Sequence, residues 1–178
     1  DFFSVKKLNS KDYDGASLDV GNPTYAEKVL QYKRIDGQAI DAGGGYVSGH
    51  FPETPDYLMH TRIFDIDHDG TPSRVLQEIQ SDLHQEGRQL GYAGDTQPFD
   101  EYPEIPSLFK PPSRSPLEKN WLRKGIKREL VDAANEGRSQ LMIPISGAVE
   151  NLHRSEGVQK WYETTVLDTA KKIAKQTN

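Results

Sequence analysis

Glu78, Gln80 and Asp82 fall at alternate positions of the stretch Val75–Asp82. An extended chain turns alternate side chains to one side. The three therefore form a polar row, in line with Leu76, on a strand that Val75, Leu76 and Ile79 otherwise make apolar. Burying such groups is costly unless each finds a partner. Upstream, His60 and Arg62 alternate along Tyr57–Asp65 and share a face with Leu58 and Phe64. If the two strands pair as a hairpin, then, depending on register, His60 and Arg62 face the same side as Glu78 and Gln80, and Arg62 with Glu78 then makes a cross-strand ion pair. Such a set suits proton transfer. Glu78 is the expected general base, beside His60. Arg62 is expected to hold an anionic substrate group, a phosphate or a carboxylate. His50, Gln80 and Asp82 complete the candidate set as substrate-binding residues. The opposing reading is structural, with Arg62–Glu78 as a plain ion pair and the row as a satisfied network.

The elements that must position these groups can be read in turn. Residues 1–24 are weakly patterned, with turn signals at 9–15 and 21–23. Tyr25–Ile35 reads as a first strand, carried by Val29, Leu30 and Tyr32. Gly43, Gly44 and Gly45 form a loop that lacks the strand–helix context of a phosphate site. Tyr57–Asp65 and Ser73–Asp82 form an antiparallel hairpin across Asp69-Gly70. Ser81 or Asp82 caps a helix from Leu83 to Leu90, which Gly91 ends. A proline-rich connection spans residues 95–115. A helix starts at Ser115-Pro-Leu-Glu118 and carries Leu117, Trp121, Leu122, Ile126 and Leu130 at helical spacing. The basic residues on it, Lys119, Lys124, Lys127 and Arg128, read as a solvated face. A short strand within Ser139–Ile145 and a last helix from Glu156 to Gln176 complete the order β-β-β-α-α-β-α. The expected class is α+β, a mixed sheet with helices packed on it.

The chain has 178 residues, a hydrophobic fraction of 34% and a net charge of −5. These values fit one polar globular domain. They argue against broad, non-specific nucleic-acid binding, while leaving room for a local basic patch. With no cysteine there is no disulfide, thiolate metal site or cysteine nucleophile. No run approaches transmembrane length, so no membrane association is expected. The chain opens on Asp1 and reads as a piece of a larger protein. Asp65, Asp67, Asp69 and Gly70 match the start of a calcium loop, but Leu76 stands where the bidentate glutamate belongs. His50, His60, Glu78, Asp82 and His84 offer ligand atoms, yet no pair has the helical spacing of a zinc hydrolase. No metal is assigned.

Three blocks resemble a domain of the large polyvalent proteins of phages and mobile elements. Val47–Arg62 resembles S-S-H-W-x-x-P-N-V-L-A-H-x-R. Val75–Gly94 resembles V-L-F-x-E-E-I-Q-S-D-W-x-Q-x-G-x-x-x-G-[YF]. Lys119–Gly137 resembles W-x-x-L-A-L-K-R-x-L-x-x-A-A-x-x-G-Y-D. Phe51 and Leu83 stand where the family has Trp, Gln77 where it has the first Glu, and Arg138 where it has Tyr. The resemblance implies a protein delivered from the virion into the host cytoplasm. Its partners would be a host protein or other domains of the parent polyprotein. It implies no particular reaction. At fold level the element order also looks like part of an N-acetyltransferase-like (GNAT) fold. There the acyl-CoA loop has only Leu122–Lys127 as its nearest match, in mid-helix. Two functions follow as expectations. One is a transferase with acetyl-CoA, NAD or another nucleotide as the anionic substrate, an ADP-ribosyltransferase-like enzyme among them. The other is a non-catalytic structural or interaction module.

Overall fold

The computed structural model describes residues 3–8, 21–32, 34–35, 38–39, 45–92, 119–144 and 156–177. Its class is α+β, as expected. Strands β1 (Phe3–Leu8), β2 (Ala26–Tyr32), β5 (Tyr57–His68), β6 (Thr71–Gln80) and β7 (Gln140–Met142) form one sheet in the order β1-β2-β5-β6-β7. Between them β3 (Arg34–Ile35) and β4 (Gln38–Ala39) make a small antiparallel pair. The helices are α1 (Asp82–Leu90), α2 (Trp121–Asn135), α3 (Glu156–Trp161) and α4 (Leu167–Thr177), the last two joined by a π-helical turn, Tyr162–Val166. The proline-rich stretch 95–115 and the helix start at Ser115–Glu118 lie outside the described residues. So does the triple glycine, apart from Gly45.

The hairpin β5–β6 is the centre of the sheet. Asp69 and Gly70 both have positive φ, 51° and 77°, the two-residue turn that matches strand twist. A connection this short makes the pair antiparallel. β6 also pairs with β7 in parallel, Arg74 opposite Leu141, so the sheet is mixed. Eight consecutive residues of β5, Tyr57–Phe64, are buried, as are Ser73–Ile79 of β6. Continuous burial marks strands covered on both faces. It also explains why polar residues here must be satisfied within the protein.

Four expectations need correction. The N-terminal region contributes an edge strand, β1. The first strand ends at Tyr32, with β3 a separate piece. Asp82 is the first residue of α1 rather than a strand residue, so the polar row on β6 ends at Gln80. The last helix is interrupted by its π turn. Near it Thr164 and Thr169 hydroxyls donate to the carbonyls of Lys160 and Thr165, a back-bonding that bends helices.

The chain divides into two compact units. One comprises Asp1–Lys6, Lys28–His60 and Gln80–Lys119; the other comprises Lys7–Glu27, Thr61–Ile79 and Asn120–Asn178. In the first, Leu58, Leu83 and Tyr92 are at most 1% exposed. Gly87 of α1 lies directly beneath the Tyr92 ring, where a Cβ would overlap it. In the second, Ile79, Ile126, Val166 and Ile173 form the core. Tyr162 ties the last helix to β6: its hydroxyl accepts from Ile79 N at 2.9 Å and donates to Ile79 O at 3.3 Å. Thr61 donates to the buried Glu129 of α2 at 2.8 Å.

Candidate active site

In the first unit a polar cluster forms around Asp82. Ser81 builds the start of α1: its hydroxyl donates to Leu58 O at 2.6 Å and accepts from His84 N at 3.3 Å. This N-cap satisfies an end-of-helix donor and fixes Asp82 in the first turn, where the helix dipole favours a carboxylate. The loop before β5 supplies two of the partners, Ser48 and His50, and the end of β6 the third, Gln80. Asp56 holds that loop. It adopts positive φ, 59°, its Oδ1 accepts from Gly45 N at 2.6 Å, and Tyr57 N donates to Tyr46 O at 3.0 Å.

Asp82 is 6% exposed and receives three side-chain donors. Ser48 Oγ and His50 Nδ1, the latter at 3.0 Å, both approach Oδ2, and Gln80 Nε2 donates to Oδ1 at 2.6 Å. Burial alone would raise its pKa. The hydrogen bonds from Ser48 and His50, and then the electrostatic pull of His60 and His50, outweigh burial and hold the carboxyl below its ordinary range. An ionised Asp82 accepts only, so a neutral His50 must carry its proton on Nδ1. That leaves the Nε2 lone pair as a proton acceptor on a side chain that is 49% exposed. His60 lies beside this pair. Its ring is 4.8 Å from Phe51 and 6.2 Å from His50, and its Nδ1 is 2.7 Å from the Tyr57 hydroxyl.

The chemistry of this group is that of an imidazole oriented by a carboxylate. It is not a serine-nucleophile triad. Ser48 is 1% exposed, and its hydroxyl is directed to Asp82 rather than to the outer nitrogen of His50.

Arg62 and Glu78 belong to the second unit and form a different group. Arg62 Nη1 donates to Glu78 Oε2, and Arg62 Nε donates to Glu27 Oε1 at 3.0 Å. The three residues are 5%, 5% and 3% exposed. Burial would lower the Arg62 pKa; Glu78 and then Glu27 outweigh it and raise it. The cross-strand ion pair expected from the sequence is therefore present, with a second carboxylate on the same guanidinium.

The candidate residues thus divide. His50, Gln80 and Asp82 are joined by hydrogen bonds and His60 stands beside them. Arg62 and Glu78 are joined to each other. Sequence reasoning missed Ser48, Tyr57 and Glu27. Glu27 was detectable as an acid inside the strand carried by Val29 and Leu30. Ser48 stood two residues from His50 in the same loop. Tyr57 was assigned to the opposite face by strand alternation, but it opens β5 right after the left-handed Asp56, and its long ring reaches the cluster.

The metal alternatives find other partners. His84 Nδ1 pairs with the Tyr92 hydroxyl at 3.0 Å. Asp65 gives both oxygens to Arg74, at 2.9 and 3.1 Å, and Asp67 closes the hairpin turn by accepting from Gly70 N at 2.6 Å. Among the described residues no three His, Asp or Glu side chains gather as a metal site, and no helix is long and apolar enough to cross a membrane. No known protein family, curated protein or solved structure matches the chain.

Proposed function

We propose that the chain is a transferase-type enzyme domain of the polyvalent proteins of phages and mobile elements, acting on a host target, with His50 as its proton acceptor. The observation that carries the catalytic part is the half-exposed His50 imidazole held at 3.0 Å from the buried Asp82 carboxylate. An outward lone pair, with the tautomer fixed from behind, is what general-base catalysis on an incoming hydroxyl or amine requires. The general-base role expected of Glu78 passes to His50, because Glu78 faces the Arg62 guanidinium. The kinship rests on the three sequence blocks, the first two of which hold His50, Gln80 and Asp82 of the cluster. Acetyl-CoA and NAD remain the co-substrates to test, the second for ADP-ribosyl transfer.

One observation favours the alternative of a non-catalytic module. Arg62, the residue expected to hold the anionic group, already faces two carboxylates.

A thermal-shift series with acetyl-CoA, NAD and ATP on the wild type and His50→Gln separates the two. A ligand at a hundredfold excess over its Kd stabilises by about 2.7 kcal/mol. The enzyme reading expects such a shift with one ligand, diminished in His50→Gln. Silence with all three, in a folded wild type, favours the module.

A further inference from the structure

The second unit carries a charge asymmetry that neither the cluster at Asp82 nor the fold explains. The first two turns of α2 hold Arg123, Lys124, Lys127 and Arg128. The second half of α4 holds Lys171, Lys172 and Lys175. No acid occurs within 121–128 or 169–177. The two helices pack side by side, and Arg123 at the start of α2 donates to Gln176 at the end of α4. They therefore run antiparallel, with the two basic halves adjoining. Lys124, Lys127, Arg128, Lys171, Lys172 and Lys175 are all exposed. The chain as a whole has a net charge of −5, so these two half-helices run against its overall sign.

Helix stability does not account for the α2 half. Its first turn contains no acid and its last turn no base, and Asn120 makes no side-chain capping bond. Cations at a helix N-terminus oppose the macrodipole. Arg128 has an i,i+4 partner in Asp132, at 3.2 Å, which offsets part of that cost. On α4 the same charges sit at the favourable C-terminal end. The combined surface brings two clusters of long cationic side chains to one place, where the opposed ends of the two helix dipoles offset each other, and the side-chain charge suits an extended polyanion.

We propose that this face binds the phosphate backbone of duplex nucleic acid without reading its sequence. The lack of an exposed ring on either half-helix points to a duplex rather than unpaired bases. Trp121, the sole aromatic residue of these two half-helices, is 8% exposed and stacks on Trp161, so neither half-helix itself presents an exposed ring for base stacking. Lysine predominates, which suits point-charge contacts to phosphates rather than bidentate reading of bases. The surface is distinct from the His50 cluster and does not depend on the proposed reaction.

The test is fluorescence anisotropy of a labelled 20-base-pair duplex of arbitrary sequence, titrated at rising salt. The wild type is expected to bind at low salt, equally for unrelated sequences, with affinity falling steeply as salt rises. Lys127→Glu/Lys172→Glu/Lys175→Glu should weaken binding at least tenfold. It should also reduce the slope of log K against log salt by about 0.9 for each phosphate no longer neutralised. The neutral set Lys127→Gln/Lys172→Gln/Lys175→Gln should give an intermediate loss, and circular dichroism checks that both variants fold. Failure of the wild type to bind at low salt overturns the proposal, as does undiminished binding by both folded variants. Displacement of the duplex by an equal charge of polyglutamate would assign the face to an acidic protein partner and overturn it too. Self-association of the protein at low salt, lost in the charge-reversed variant, would do the same by assigning the face to a second copy.

Discussion

Replacing Arg62 by Met tests whether the Glu27–Arg62–Glu78 group is a closed structural network. Its guanidinium is ion-paired with both carboxylates. Removing it leaves two acids, 3% and 5% exposed, without that charge beside them. Breaking a buried ion pair from one side costs about 3–5 kcal/mol. For a chain of this size each kcal/mol moves Tm by about 2–4 °C, so the expected fall is on the order of 10 °C. Methionine fills much of the arginine stem, which keeps cavity formation from dominating. The assay is urea unfolding followed by tryptophan fluorescence, run on Arg62→Met and on Arg62→Met/Glu78→Gln. The double variant removes one stranded charge and should recover at least about 1 kcal/mol of the loss. A cost below about 1 kcal/mol for Arg62→Met would refute the reasoning. It would mean that both acids reach water, and that Arg62 is available to an anionic ligand after all.

Gly87→Ala drives a Cβ into the Tyr92 ring, which is 1% exposed and bonded to His84; overpacking of this kind should cost about 1–3 kcal/mol in the same unfolding assay. Tyr162→Phe removes the hydroxyl that serves both Ile79 N and Ile79 O. A buried amide then loses its partner, for an expected loss of about 1–3 kcal/mol, and faster hydrogen exchange at Ile79 is the local readout. His84 is buried, and desolvation, with a smaller push from Arg88, lowers its pKa from 6.5 to about 4. Below pH 6.5 the unfolded chain takes up a proton that the folded protein does not, so stability falls with pH and this contribution levels off near 4. At full weight the difference is about 3 kcal/mol, and screening reduces it to roughly 2 kcal/mol. Denaturant midpoints from about pH 7 to 4 should show a decline that is flatter in His84→Gln.

Where the sequence was readable, local chemistry and tertiary structure agreed. The β5–β6 hairpin followed from two alternating segments and the Asp69-Gly70 turn. The start of α1 followed from the capping pair Ser81 or Asp82, of which Ser81 is the cap and Asp82 the first helical residue. The Arg62–Glu78 pair followed from strand alternation for one of the possible hairpin registers, the one the fold adopts. The failures lie where periodicity carries no information. β1 has a polar sequence, Phe-Ser-Val-Lys-Lys-Leu, that an edge strand tolerates and no pattern flags. Glu129 is buried on α2 with Thr61 donating to it, a position that helical spacing of apolar residues did not mark. The candidate site was legible as a set of residue types but not as a partition. Alternation put Glu78, Gln80 and Asp82 in one row. The chain turns at Ser81, so Asp82 leaves the strand and joins the loop carrying Ser48 and His50. No spacing rule links residue 50 to residue 82.

The central claim is that Asp82 fixes His50 with its proton on Nδ1 and its lone pair outward. Nitrogen-15 NMR of labelled protein reads the imidazole tautomer directly, with His50→Gln assigning the resonance. Neutral His50 is expected to be protonated on Nδ1 in the wild type and to move toward the Nε2-protonated form in Asp82→Asn. A wild-type His50 protonated on Nε2, unchanged in Asp82→Asn, would contradict it.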